Sequence, residues 1–111
     1  MKKLAVSNVG RYHKRTYFDI EKLQEVVAED IKDDVERKGL AEYIKSWFGY
    51  QDDTDEALEG VTTFEELTYA IATTNALFEF YWKAEVNYET CIVDEFVDED
   101  IDETFLEIIE T

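Results

Sequence analysis

The sequence predicts an α+β fold in which three to four amphipathic helices pack on a small antiparallel sheet, and three observations lead there. Apolar residues recur at helical spacing over residues 20–38 and 40–48. Leu4 and Val6, and the alternation of apolar and polar side chains over residues 78–90, carry the two-residue period of strands. A length of 111 residues, 45% of them hydrophobic and 14% aromatic, supplies one core and not two, so residues 1–111 are expected to form a single domain.

Taken in order, Leu4, Val6 and Val9 mark a first strand that closes near Gly10, and Tyr17 and Phe18 continue extended up to the first helix. Asp19 is a good N-cap for that helix, which carries Ile20, Leu23, Val27, Ile31 and Val35 on one face and stops at Gly39. Leu40, Tyr43, Ile44, Trp47 and Phe48 repeat the pattern in a second helix closed by Gly49. Residues 50–60 read as an acidic connection. Thr62 or Thr63, with Glu65 or Glu66 three places on, then opens a third helix on Phe64, Leu67 and Ile71.

Two periods compete after that. Residues 78–90 alternate as a strand does, yet Phe64, Leu67, Ile71, Thr74, Phe78 and Tyr81 also share a helix face. One strand over 78–93 would be about three times the usual length, so the helix is placed up to residues 80–82 and a strand over 85–93, with a hairpin as the alternative. Asp98 or Asp100 caps a last helix with Ile101, Phe105, Ile108 and Ile109 inward.

Charge is the loudest signal. Twenty-eight acids face eleven bases for a net −17, which argues against direct binding of nucleic acid or an anionic membrane surface and favours basic partners. The distribution is lopsided: residues 1–16 sum to +5, residues 17–50 to −4, and residues 51–111 to −18 with Lys83 as their lone base. One cysteine, Cys91, cannot form an internal disulfide, and no secretory or spanning segment is visible. A cytoplasmic location, in a host cell, is the expectation.

Signals for catalysis are sparse. His13, the lone histidine, lies beside Lys14 and reads as a strand-end residue; Cys91 reads as a small buried hydrophobe in a strand. There is no Gly-rich phosphate loop and no Cys-x-x-Cys, and Asp52, Asp53, Asp55, Glu56 and Glu59 lack the residue order of a calcium loop. No enzyme activity, metal or cofactor is expected. The dense run from Asp94 to Glu103 places seven acids (Asp94, Glu95, Asp98, Glu99, Asp100, Asp102 and Glu103) in ten residues while keeping Phe96, Val97 and Ile101 for packing. Charge on a folded scaffold can stand in for a phosphate row, which a loose acidic tail does poorly. These seven form the candidate partner-binding face, with Asp52, Asp53, Asp55 and Glu56 as a second patch.

Two local resemblances bear on that face. Residues 5–12, Ala-Val-Ser-Asn-Val-Gly-Arg-Tyr, resemble the opening of ArdA antirestriction proteins, which are longer and act as DNA mimics. Residues 80–93, Phe-Tyr-Trp-Lys-Ala-Glu through Val93, are similar to a segment of small uncharacterised proteins of Gram-positive phages and mobile elements. The resemblances imply a phage or mobile-element setting and an anti-restriction or anti-CRISPR role: a non-enzymatic inhibitor placing acidic residues in the nucleic-acid channel of a host nuclease. The alternative is an acidic accessory or adaptor protein that binds a basic partner without mimicry.

Overall fold

A computed structural model describes residues 2–8, 13–49, 52–74, 88–101 and 105–110. Four strands, β1 (Lys2–Asn8), β2 (Lys14–Asp19), β3 (Ile92–Val97) and β4 (Phe105–Glu110), form one antiparallel sheet in the order β3-β2-β1-β4. Among the described residues, four α-helices intervene between β2 and β3: α1 (Ile20–Lys38), α2 (Leu40–Lys45), α3 (Asp52–Leu58) and α4 (Phe64–Thr73). The expected α+β architecture of helices with a small antiparallel sheet is therefore present.

Alternation along β1 separates the two faces. Leu4 and Val6 join Phe18 of β2 in the cluster that α1 completes with Ile20, Leu23, Val27, Ile31 and Val35. Ala5 and Ser7 point the other way and are buried too, because β1 has a strand on each side and its small side chains are shielded by larger neighbours. The α1 stripe is the one expected from spacing. Asp19 caps the helix, its carboxylate accepting from the amides of Glu21 and Lys22 at 3.1 and 3.3 Å. At the other end Gly39 adopts φ 86°, a left-handed value that a side chain disfavours, and its amide donates to Val35 O at 2.8 Å.

Helix α2 is shorter than its apolar pattern implied. From Ser46 to Gly49 the chain turns, and the amides of Trp47 and Phe48 bond back only three residues, to Ile44 O and Lys45 O. That tighter winding rotates Phe48 off the buried stripe, leaving it exposed while Tyr43, Ile44 and Trp47 stay inside. The acidic connection also differs from expectation, since Asp52–Leu58 is helical and buries Leu58 in the core.

Thr63 caps α4 as its position foretold. Its hydroxyl oxygen accepts from the Glu66 amide at 3.1 Å, and the hydroxyls of Thr63 and Thr62 both donate to the Glu66 carboxylate, at 3.0 and 3.1 Å. Those two hydroxyl bonds hold the Glu66 carboxyl below its ordinary range. Their contribution is present above the unfolded carboxyl's pKa and is lost as pH falls through the folded one. Thr63→Ala is expected to cost about 1 kcal/mol in urea unfolding at neutral pH. Buried Thr68 ties α4 to α1, donating to Glu65 O and accepting from Gln24 Nε2 at 3.1 Å.

Helix α4 ends at Thr73, with Thr74 extended, so the helix does not run on unbroken to residues 80–82. The remainder of the helix, strand and hairpin alternatives over residues 75–87 lies outside the described residues. The next described strand begins at Ile92. Residues Tyr88–Cys91 form a 3-10 turn, and β3 runs from Ile92 to Val97 rather than over 85–93. The expected last helix is strand β4: Leu106 pairs with Val6 and Ile108 with Leu4, so an apolar set that also fits helical spacing is used with period two against β1. Ile101, assigned to that helix, is buried in the connection before it.

Candidate functional site: an acidic strand and turn

The candidate face is built on β3 and on the turn that follows it. Asp94 and Glu95 are exposed residues of the strand, while Asp98, Glu99 and Asp100 form the turn; Asp102 and Glu103 lie outside the described residues. None of the five described acids is helical, and neither Asp98 nor Asp100 caps the helix expected of them. Acids are tolerated here because β3 is an outer strand among the described residues, where side chains reach water past the margin of the core.

The basic start of the chain meets this face. Antiparallel pairing sets Lys14 opposite Val97 and Arg15 opposite Phe96, so both cations reach neighbouring acids. Lys14 Nζ is 2.7 Å from Glu95 Oε1, and the Thr16 hydroxyl donates to the other oxygen at 3.3 Å. Arg15 approaches Asp98 at 3.7 Å and donates through Nε to buried Ser7 Oγ at 3.2 Å. Asp94, Glu99 and Asp100 meet no cation among the described residues.

Backbone contacts position the turn. Asp98 donates its amide to His13 O at 2.7 Å, and its carboxylate accepts from the Asp100 amide at 3.1 Å. His13 Nδ1 lies 3.0 Å from Ile101 O, so this nitrogen carries the proton that the carbonyl accepts. His13 has φ 43°, an uncommon value for a non-glycine residue, and the two bonds to the turn hold it there. With Ile101 only 5% exposed, the turn is fastened at both ends and presents Glu99 and Asp100 to solvent. Asp98, one of the seven acids of the candidate partner-binding face, is half-buried and organises the turn instead.

The second patch is placed elsewhere. Asp52 and Asp53 open α3, Glu56 is exposed, and Asp55 accepts the Gly49 amide at 3.1 Å, fastening the turn after α2. Glu56 lines a cleft with Leu106, Glu107 and Ile108 of β4, so α3 sits by the strand at the opposite end of the described sheet from β3. The two acidic patches are thus not brought together. A larger cleft of about 860 Å³ between α1, α4 and the sheet end is also acidic, with Glu21, Glu65, Glu66 and Glu110 around Lys2.

Nucleophile chemistry finds little support in these surroundings. Cys91 is 1% exposed, and burial pushes its thiol above the ordinary value, disfavouring the reactive thiolate. It lies in the 3-10 turn, not in a strand as expected, but it is buried as expected. We expect Ellman's reagent to label it slowly in the native protein at pH 7.5 and rapidly in denaturant; rapid native labelling would contradict this burial. Among the described residues no group of three or more His, Cys, Asp or Glu side chains is disposed to hold a metal, and no helix is long and apolar enough to cross a membrane.

No protein-family model, curated protein or solved structure matches this chain.

Proposed function

We propose that this chain is a non-catalytic inhibitor of a host defence nuclease, of restriction or CRISPR-Cas type, that seats its acidic strand and turn in the enzyme's basic nucleic-acid groove. The observation that carries this reading is the fastened turn, with Ile101 buried beneath it and Glu99 and Asp100 exposed without a cation among the described residues. Carboxylates already held in place lose less freedom on binding than those of a loose tail, and a −17 chain is drawn to a basic groove by long-range attraction. The mimicry so proposed uses a strand and a turn as its scaffold.

An acidic adaptor is the second reading. The exposed apolar side chains Val93, Phe96 and Val97 interrupt the acidic face and favour a contact that is not purely electrostatic.

The test begins with recovery of the tagged protein's partner from a host lysate, followed by calorimetry of that complex. Partner affinity is expected to fall steeply with added salt and to be abolished by saturating nucleic acid, while the protein alone does not shift duplex DNA at physiological salt. Undiminished binding in the presence of nucleic acid would leave the adaptor reading in possession.

A further inference from the structure

We propose that the outer edge of β3 is a docking edge for an extended basic segment of the partner, which adds to the sheet as a further strand. This rests on the reading that the partner is basic, and it specifies how that partner is gripped.

β3 pairs with β2 on one side, and among the described residues no strand pairs with its other side. An outer strand presents backbone donors and acceptors that template another strand, and proteins commonly blunt such edges with lysine or proline. Ile92–Val97 contains neither; it is guarded instead by the acids Asp94 and Glu95, by the irregularity at Val93 and by the Asp94 carboxylate, which accepts the Glu95 amide at 2.8 Å and gives way to a docking strand. The register of β3 with β2 shifts between Tyr17 and Phe18, leaving Val93 as the extra residue, but the pairing is regular from Asp94 to Val97. Val93, Phe96 and Val97 are 44%, 41% and 68% exposed, which makes this short strand unusually apolar for a solvent edge.

Charge chooses the occupant. A second copy adding here would set Asp94 and Glu95 against acids of its own kind, and each copy carries −17. Like charges facing across strands are destabilising. Alternation gives each face of the edge one acid followed by one apolar residue: Asp94 with Phe96 on one face, Glu95 with Val97 on the other. The complementary strand carries two adjacent cations next to two adjacent aliphatic residues. Running antiparallel, its order is aliphatic, aliphatic, basic, basic. Glu95 already meets Lys14, whereas Asp94 meets no cation among the described residues and accepts the Glu95 amide at 2.8 Å, so Asp94 keeps the larger share of charge for a partner.

The probe is a short capped peptide with the core Val-Ile-Lys-Lys flanked by threonines, titrated by calorimetry and followed by amide hydrogen exchange. Binding is expected to add protection to β3 amides. It should weaken about tenfold when alternate peptide amides are N-methylated, and by a similar factor in Val97→Lys or Asp94→Lys protein. Because Val97 is exposed, Val97→Lys is not expected to unfold the chain, which circular dichroism checks. Equal binding of the N-methylated peptide would show attraction by charge alone and overturn the proposal. So would full protection of the β3 amides before peptide is added, or dimerisation through this edge. Peptide addition without nucleic-acid competition in the partner complex would sink the inhibitor reading alone; competition without peptide addition would sink this one alone.

Discussion

Replacing Glu99 and Asp100 together by lysine is expected to weaken association with the target by about ten- to a hundredfold, because two attractive charges become repulsive in a basic groove. Both side chains are exposed and neither has a cationic partner among the described residues, so the melting temperature should stay near that of the wild type. The pair is chosen over Asp98, whose backbone and carboxylate organise the turn; Asp98→Lys would confound loss of charge with loss of shape. Glu21→Lys with Glu25→Lys, on exposed positions of α1, is the matched control and should cost much less affinity. Equal losses from both double variants, measured by calorimetry at one salt concentration, would mean that net charge alone carries the interaction.

Leu23→Ala is expected to lower the unfolding free energy by about 2–5 kcal/mol, the range for removing a fully buried leucine from a close-packed interior. Leu23 is 0% exposed on the α1 face that joins the sheet to the other helices. Equilibrium urea unfolding followed by circular dichroism reads the change. A loss below about 1 kcal/mol would mean that the space under α1 collapses around the smaller side chain. Val93→Ala, at an exposed position, serves as the reference and should fall within about 0.5 kcal/mol of wild type.

What was legible in the sequence depended on length and on local caps. Helix α1 offers five buried residues on one stripe, an Asp19 cap and a Gly39 stop, so its position and inward face followed from spacing alone. Helix α3 was missed because seven residues with a single buried leucine, Leu58, look like an acidic linker. Strand β4 was misassigned because Phe105, Ile108 and Ile109 satisfy helical spacing, and the partner that decides the matter, β1, is remote in sequence. Tertiary pairing overrode a short local pattern.

The candidate site divides the same way. Acid density from Asp94 to Glu103 is visible in the composition, but which acids are spent on cations is not. Lys14 with Glu95 and Arg15 with Asp98 meet only through the register of β2 against β3, and His13 reaches Ile101 only because the turn crosses beside it. A basic start facing an acidic second half was the signal available; the pairing had to come from topology.

The placement of β1 between β2 and β4 also has a bearing on biosynthesis. One neighbour of β1 lies a few residues away, whereas the other begins at Phe105, so the contact between Lys2 and Glu110 closes nearly the whole described length. At elongation rates of about 5–20 residues per second, β1 waits on the order of 5–20 s on the ribosome before β4 can be offered to it. Until then Leu4 and Val6 have only the β2 side and the growing helices to shelter them. The negative charge that accumulates behind β1 during synthesis repels other copies and so opposes pairing of that open edge with another chain.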